Sequence, residues 1–578
     1  MIGLLPDVIR IFKEQQYEKY GEAIIVDSYV PVDGEYIIVD SNSFNIIERV
    51  HIKQDKKTKE IDRTNQYFDF ICQVDYMSMY LNSNKAFSDK NIHSNNYLTF
   101  FVKKENVHNG KITDEIIAEY YAKLKNPLQK YKSKAAKELY EVIEKQLGKP
   151  DEKEIEKIET WIKENIYSLV TADSKDKSYL KIFFKYDLAT YKKESERYVQ
   201  VNIYNSNDYN QMIGEKVWGL PDDNMGLNAK KPYLENKTRK TAIPYLVDQE
   251  EVLIQKKLFD YLSNLVAAGK YNVYVTEEEG VNGYTNDNLP DKDISGYFLR
   301  LQKGIEVEIH DFDVIGLYKV KIKPFTLQNI LDLEESKLQY ITIEKLTDLK
   351  NLINEVFFFK FLTANYFTEP KDIRANDSSL KRNILLARTT LFRWFYKGND
   401  NGAWKVLDYC SRDLIKGSID NGYLQKASEQ FNLRFSLKGY FEGGEDMPDV
   451  LLEVKNSLRT KINSKTTDFI TNDTEYYFAV GQLTRYLLSL SKTKKKVHSL
   501  ANPIINTKTD EKLKEQLKRL YKKYNYDIGF YAKRLDNLYS MVSSYVPEGL
   551  PEEDLIIAGY LHSNLIYEKS GGEEKEDE

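Results

Sequence analysis

The sequence is poor in the residues that several protein classes depend on. Its 578 residues include only two cysteines, Cys72 and Cys410, which exclude a disulfide scaffold and a cysteine-rich zinc module. No apolar run approaches the roughly 18 residues of a membrane-spanning helix, and the mean hydropathy is -0.57. The first residues mix acids and bases without the order of a signal peptide. These features predict a cytoplasmic protein that has no membrane partner.

Motifs of common enzyme classes are also missing. The chain contains no phosphate-binding loop, no dinucleotide-binding glycine pattern, no HExxH helix and no GxSxG elbow. The pair His310-Asp311 ends an alternating run that predicts a strand, and we find no further ligands for a metal hydrolase. Residues 448–455 imitate a nuclease signature, but their apolar spacing favours an amphipathic helix. We therefore predict a protein that is not an enzyme and that has no cofactor and no metal.

The hydrophobic pattern predicts a mixed front part and a helical back part. Two β-rich runs surround a Pro-Val-Asp-Gly turn within residues 22–40, and residues 112–168 form a solvated helical insertion with a break at 148–150. Further strands are predicted at 178–187, 197–205, 270–279 and 296–315, and helices at 327–367, 379–396 and 404–427.

The last part of the chain is more regular. Apolar residues recur at helical spacing in three segments, with a fourth helix predicted after Pro551. Because the connections are short, these helices predict a compact bundle. The fold class is thus α+β, with a large mixed α/β N-terminal domain at 1–446 and an all-α helical bundle at 447–578.

Charge is distributed unevenly along the chain. The whole chain carries -5, which excludes a wholly basic nucleic-acid binder, but residues 481–540 hold 14 bases and 5 acids, or 14 − 5 = +9. Such a local surplus is typical of a face that contacts phosphate backbones, although a solvated face is the alternative. The candidate contacts are Lys492, Lys494, Lys495, Lys496, Lys518, Arg519, Lys522 and Lys523.

Two further segments combine bases with amides. Between Met225 and Lys240 the chain has five bases and one acid, in a segment whose glycine and proline predict a loop. The surplus of bases predicts contacts to duplex DNA, and the alternative is a loop that is merely exposed. A second cluster precedes a predicted strand at 97–102, and its amides suit either RNA or turn backbones. The candidates are Asn228, Lys230, Lys231, Lys237, Arg239 and Lys240 in the loop, and Asn84, Lys85, His93, Asn95 and Asn96 in the cluster.

Four long segments together resemble the Csh family, the large subunit of type I-B CRISPR surveillance complexes (Cascade). They are LNSNKAFSDKNIHSNNYLTFFVKKE, DDNMGLNAKKPYLENKTRK, GYFLRLQKGIEVEIHDFDVI and the stretch from YYFAVGQLTRYLLSLSKTKKK to KRLYKKYNY. The resemblance implies a subunit of antiviral defense that binds the crRNA 5′ end and recognises the protospacer-adjacent motif (PAM) on double-stranded target DNA. It also implies that the subunit holds opened DNA and helps recruit a helicase-nuclease. The implied partners are crRNA, target DNA, the crRNA-tag-binding and backbone subunits, a small subunit and the helicase-nuclease.

The same resemblance suggests that one gene makes two proteins. The C-terminal part of the family resembles a separate small subunit, and Met447 is the only methionine between Met225 and Met541. The preceding Glu442-Gly443-Gly444 would be encoded by a purine-rich string at a suitable distance for internal translation from Met447. The alternative is a plain glycine linker. For the whole chain, a stand-alone nuclease and a generic RNA-binding scaffold remain the alternatives.

Overall fold

The structure is a computed structural model. It describes residues 5–170, 176–214, 216–222, 246–303, 307–336, 338–443, 447–466, 468–493, 497–529 and 532–568. Its contacts divide the chain into two compact units, one of Met1–Thr285 with Ser295–Val314, and one of Asn286–Ile294 with Ile315–Glu578. Helices predominate over strands, and the strands form small sheets, so the predicted α+β class is confirmed.

The first unit holds ten α-helices and most of the strands in the described residues. Its helices are α1 (Leu5–Phe12), α2 (Glu18–Tyr20), α3 (Ala23–Asp27), α4 (Phe68–Ser78), α5 (Lys104–His108), α6 (Asp114–Lys125), α7 (Lys134–Leu147), α8 (Glu152–Leu169), α9 (Leu188–Asn202) and α10 (Gln249–Ala267). The strands are β1 (Gly34–Asp40), β2 (Ile46–Ile52), β3 (Thr99–Lys103), β4 (Tyr179–Lys185), β5 (Gln211–Ile213), β6 (Lys216–Gly219), β7 (Val247–Asp248), β8 (Asn272–Thr276) and β9 (Gly280–Tyr284). The last two, β10 (Ile294–Lys303) and β11 (Val307–Tyr318), each cross a unit boundary.

A four-stranded sheet in the order β2-β1-β4-β3 forms the centre of the first unit. The inner strands β1 and β4 are parallel, with Ile37 opposite Ile182, and the outer strands are antiparallel to them. The sequences of both inner strands are largely apolar because these strands are covered on both faces. A second sheet has the order β11-β10-β8-β9 and packs against α1 and α10.

The second unit is mainly helical. It contains β12 (Lys321–Thr326), β13 (Thr342–Lys345), α11 (Leu346–Val356), α12 (Phe361–Ala364), α13 (Ser378–Lys397), α14 (Ala403–Asp420), α15 (Leu424–Glu442), α16 (Met447–Asn463), α17 (Asp473–Ser489), α18 (Asn502–Ile505), α19 (Asp510–Tyr524), α20 (Lys533–Ser544) and α21 (Glu553–Leu561). One hydrophobic core joins α16–α21 with residues of α14 and α15. The predicted domain boundary at residue 446 therefore lies inside this unit, and the core continues across it.

Several sequence-based assignments need correction. The run at 22–40 is not a pair of strands: its first half is helix α3, and β1 pairs instead with β2. The predicted strand at 197–205 is mostly the end of α9. Of the described residues in 327–367, those in α-helix belong to α11 and α12. The 112–168 segment is helical as predicted, but it is not a solvated insertion, since Ile155, Ile158 and Ile162 of α8 are fully buried in the core.

Candidate nucleic-acid interface

Helix α19 carries most of the described bases of the predicted C-terminal face. The Thr509 side chain caps its first turn by accepting a hydrogen bond from the Lys512 backbone N–H. Acids occupy the first turn and Lys522 and Lys523 the last, an order that suits the helix dipole. The opposite face is apolar and buried, through Leu513, Leu517, Leu520 and Tyr524. Burial of that face fixes the direction in which the bases point.

The bases of α19 form one exposed row. Lys512, Arg519 and Lys523 are exposed and follow one another at steps of seven and four residues, so they share a face along about 16 Å of helix axis. Lys518 and Lys522 flank that row and are exposed as well. Within the described part of the chain, neither has an ion-pair partner. These ammonium groups therefore remain available to an external anion.

Not every base of this region belongs to the row. The Lys514 ammonium lies 2.7 Å from the Asp510 carboxylate and also donates to the Tyr545 carbonyl. The Arg534 guanidinium donates to the Asn463 side chain at 2.7 Å. Both cations stabilise contacts between elements of the second unit, so the local +9 overstates the charge that faces solvent.

An exposed tyrosine accompanies the basic row. Tyr526 follows α19 directly and is 61% exposed. The Lys492 ammonium lies 5.3 Å from the centre of its ring, which is a cation–π distance. Aromatic rings beside basic groups are the usual platform for single-stranded bases. Sequence reasoning missed Tyr526, although its position after Lys522 and Lys523 was a signal that could have identified it.

Part of the predicted interface lies outside the described residues. This applies to Lys494, Lys495 and Lys496, and to the whole loop that holds Asn228, Lys230, Lys231, Lys237, Arg239 and Lys240. Their assignment to nucleic acid stays a prediction.

The buried amides of the cluster before β3 bind backbone groups, which is the second of the two roles that the sequence left open. Asn95 is 2% exposed and donates to the carbonyl groups of Met77 and Met79, both at 3.0 Å. Asn96 is 1% exposed, and its carbonyl oxygen accepts from the Leu98 N–H at 3.0 Å. Because both side chains are buried and hydrogen-bonded, they hold the segment before β3 in place and do not face a ligand.

Lys85 and His93 are also held by the fold. The Lys85 ammonium donates to the Tyr204 and Asn205 carbonyls at 2.8 and 3.0 Å, and burial lowers its pKa. The His93 Nδ1 lies 2.9 Å from the Tyr80 hydroxyl, and burial, with Lys103 and Lys181 nearby, lowers the histidine pKa to about 4. Of the predicted cluster, only Asn84 has an exposed side chain.

The described residues contain no group of three or more His, Cys, Asp or Glu side chains placed to hold a metal ion. None of the helices described here is long and apolar enough to cross a membrane. Comparisons of the chain with models of protein families, with curated proteins and with solved structures find no match.

Proposed function

We propose that this chain is the non-enzymatic large subunit of an RNA-guided DNA-binding complex of the type I-B Cascade kind. The observation that carries the proposal is the exposed basic row of α19 with Tyr526 beside it. The four sequence segments that resemble the Csh family support the same assignment and supply its partners.

The chemistry of the row suits backbone binding better than base recognition. Lysine ammonium groups neutralise phosphates without reading sequence. In an RNA-guided complex the guide reads the target by base pairing, while the protein reads a short motif and holds the opened strands. The α19 row and Tyr526 would hold the opened single strand, and the loop at 228–240 would contact the duplex near the PAM.

The C-terminal part would also be made separately. Helix α16 begins at Met447, so internal initiation there would start the short product at the beginning of a helix. Its 578 − 447 + 1 = 132 residues would serve as the small subunit.

The test replaces Lys523 of the row and the flanking Lys518 and Lys522 with glutamate in the assembled complex, and it measures DNA affinity at several salt concentrations. The loss should be equal for all target sequences, and the log–log salt slope should fall by about 2–3 as three phosphate contacts disappear. Lys405→Glu, an exposed base of α14, is the matched control and should change little. A loss confined to some targets, or an unchanged slope, would contradict the assignment.

A stand-alone nuclease is the competing function. Purified protein incubated with labelled DNA and Mg²⁺ or Mn²⁺ should leave the DNA intact. Cleavage that persists after repeated purification would overturn the non-enzymatic assignment.

A further inference from the structure

A groove in the first unit runs along one face of α8. It encloses about 910 Å³ between this helix, the β1–β2 turn and the end of β4. Asp151, the N-cap of α8, lines the groove together with Glu154 and Glu164 of the same helix. These three residues share one face of α8. From the sheet side the groove receives Tyr97 and Tyr186.

The wall opposite α8 is held in a strained conformation. Phe44 in the β1–β2 turn has a φ of 55°, which a bulky side chain rarely adopts. Its carbonyl accepts a hydrogen bond from the Trp161 indole at 2.8 Å, and its ring lies 5.8 Å from that of Phe184. Strained backbone persists where surrounding contacts fix it. The wall formed by Phe44 is therefore already in place before a ligand binds.

Tyr97 contributes a hydroxyl group to this groove. The residue is 5% exposed and lines the groove, yet its hydroxyl has no hydrogen-bond partner among the described residues. A hydrogen-bonding group of a ligand in the groove could bind this hydroxyl in place of water. The neighbouring Tyr186 differs, since its hydroxyl donates to Glu154.

The charge of the groove is negative. Three carboxylates line it against one base, Lys157, whose ammonium is already paired with Glu154 at 2.9 Å. Glu164 is exposed and has no partner in the described part of the chain. Asp151 caps α8 through one carboxylate oxygen, which accepts from the Glu154 N–H at 3.1 Å. Carboxylates beside aromatic rings form the environment that a guanidinium group prefers.

We propose that this groove binds an arginine-bearing extended segment of a partner protein. Asp151 and Glu164 lie 13 residues apart, about 20 Å along the helix axis. That length matches about six residues of extended chain. Arginine fits because its planar fork can pair with carboxylates while its face stacks on a ring. This site involves no nucleic acid and does not depend on the proposed function.

The experiment uses the full chain and a fluorescein-labelled hexapeptide of alternating alanine and arginine. Fluorescence anisotropy measures its affinity for the wild type, for Glu164→Gln, for Tyr97→Phe and for the double variant Asp151→Asn with Glu164→Gln. Asparagine retains the helix cap, so the double variant removes charge without removing the cap. The matched control is Glu152→Gln with Glu156→Gln, which removes two carboxylates of α8 that do not line the groove.

The double variant should weaken peptide binding about tenfold or more, since each lost pair is a hydrogen bond between charged groups. Tyr97→Phe should weaken it about fivefold through one neutral hydrogen bond, and the control should match the wild type. Glu164→Gln alone should also weaken binding. Because Glu164 is exposed, this substitution should leave folding unchanged. Equal affinity in all variants, no binding by the wild type, or competition by spermidine but not by unlabelled peptide would each overturn the proposal.

Discussion

His93 illustrates how burial sets the charge of a side chain that the sequence offers as a ligand. Its Nδ1 faces two tyrosine hydroxyls, Tyr80 at 2.9 Å and Tyr179 at 3.3 Å. Both hydroxyls can donate only while Nδ1 carries no proton. Burial, together with two neighbouring lysines, lowers the pKa to about 4, so the ring is neutral at neutral pH.

This lowered pKa makes folding stability depend on pH. An unfolded histidine binds a proton below about pH 6.5 while the folded one does not, so the free energy of unfolding falls as the pH drops from about 6.5 to 4. The expected contribution is about 1.4 kcal/mol per pH unit over that window. Urea unfolding at pH 7, 6 and 5 should show a shallower decline for His93→Gln than for the wild type. Parallel declines would mean that His93 is protonated in the folded state.

Lys230 and Lys231 belong to the loop whose structure is not described, and their prediction depends on charge alone. If the loop contacts duplex DNA near the PAM, replacing both with alanine should weaken target binding by the assembled complex and leave assembly intact. A good side-chain-to-base contact is worth about 1–3 kcal/mol, or roughly 5- to 150-fold in affinity. Electrophoretic mobility shifts at fixed salt measure the change. Unaltered binding to matched duplex would remove the loop from the proposed interface.

The close packing of helix α17 against helix α21 depends on two glycines. A Cβ on Gly481 would lie 2.2 Å from the Ile556 carbonyl oxygen, and one on Gly559 would lie 2.0 Å from that of Phe478. These distances involve backbone atoms, which cannot rotate away. The two helices therefore touch backbone to backbone at the centre of the core in the second unit.

Alanine at either glycine should force the helices apart. Overpacking of this kind costs about 1–3 kcal/mol, and a backbone clash should reach the upper end of that range. Gly439→Ala on α15 is the control, because a Cβ there meets nothing within 4 Å and alanine gains about 1 kcal/mol of helix propensity. Thermal unfolding followed by circular dichroism should show lower midpoints for Gly481→Ala and Gly559→Ala only. A midpoint raised in all three variants would contradict the close crossing.

The predictions of helices are confirmed where the apolar pattern is long and regular. The stripes of α17 and α19 are buried as their spacing predicts. The strand predicted at 197–205 is wrong because Tyr198 and Val201 are buried at helical spacing, and Arg197 pairs with Glu194 one turn away. Short apolar runs fit either period, and only tertiary contacts decide between them.

The candidate interface could be predicted only in part for a similar reason. Charge clustering identified the bases of α19, since their exposure follows from the apolar stripe on the same helix. It could not distinguish Asn95 and Asn96, whose amides serve buried backbone groups, from amides that face solvent. Whether an amide is buried or faces solvent depends on hydrogen-bond partners that are distant in sequence. The local composition does not reveal those partners.

Over the whole second unit, the core does not stop at the proposed internal start. Phe431 and Phe435 of α15 lie in the same cluster as the residues of α16–α21. Arg434, 1% exposed, pairs with Asp408 at 2.8 Å and with Asp554 of α21 at 3.0 Å. A product that begins at Met447 would lack Phe431, Phe435, Arg434 and Asp408 and would retain only Asp554.

This arrangement predicts that the 447–578 product is folded but less stable than the same helices in the full chain. Burying each lost phenylalanine is worth about 2 kcal/mol, so the free energy of unfolding should fall by about 4 kcal/mol. The fragment should also bind a hydrophobic dye, and a longer fragment from Gly402 should bind less. Urea unfolding and dye fluorescence measure both effects. Equal stability of the two fragments would show that α14 and α15 do not support the bundle.

A chain that works within an RNA-guided complex should carry guide RNA through purification. The most direct measurement is sequencing of the RNA that co-purifies with the tagged full-length protein from cells that contain its neighbouring genes. We expect short RNAs of uniform length, each with a repeat-derived 5′ tag and a variable guide. A mixture of cellular RNAs, or no RNA above the level of an untagged control, would contradict it.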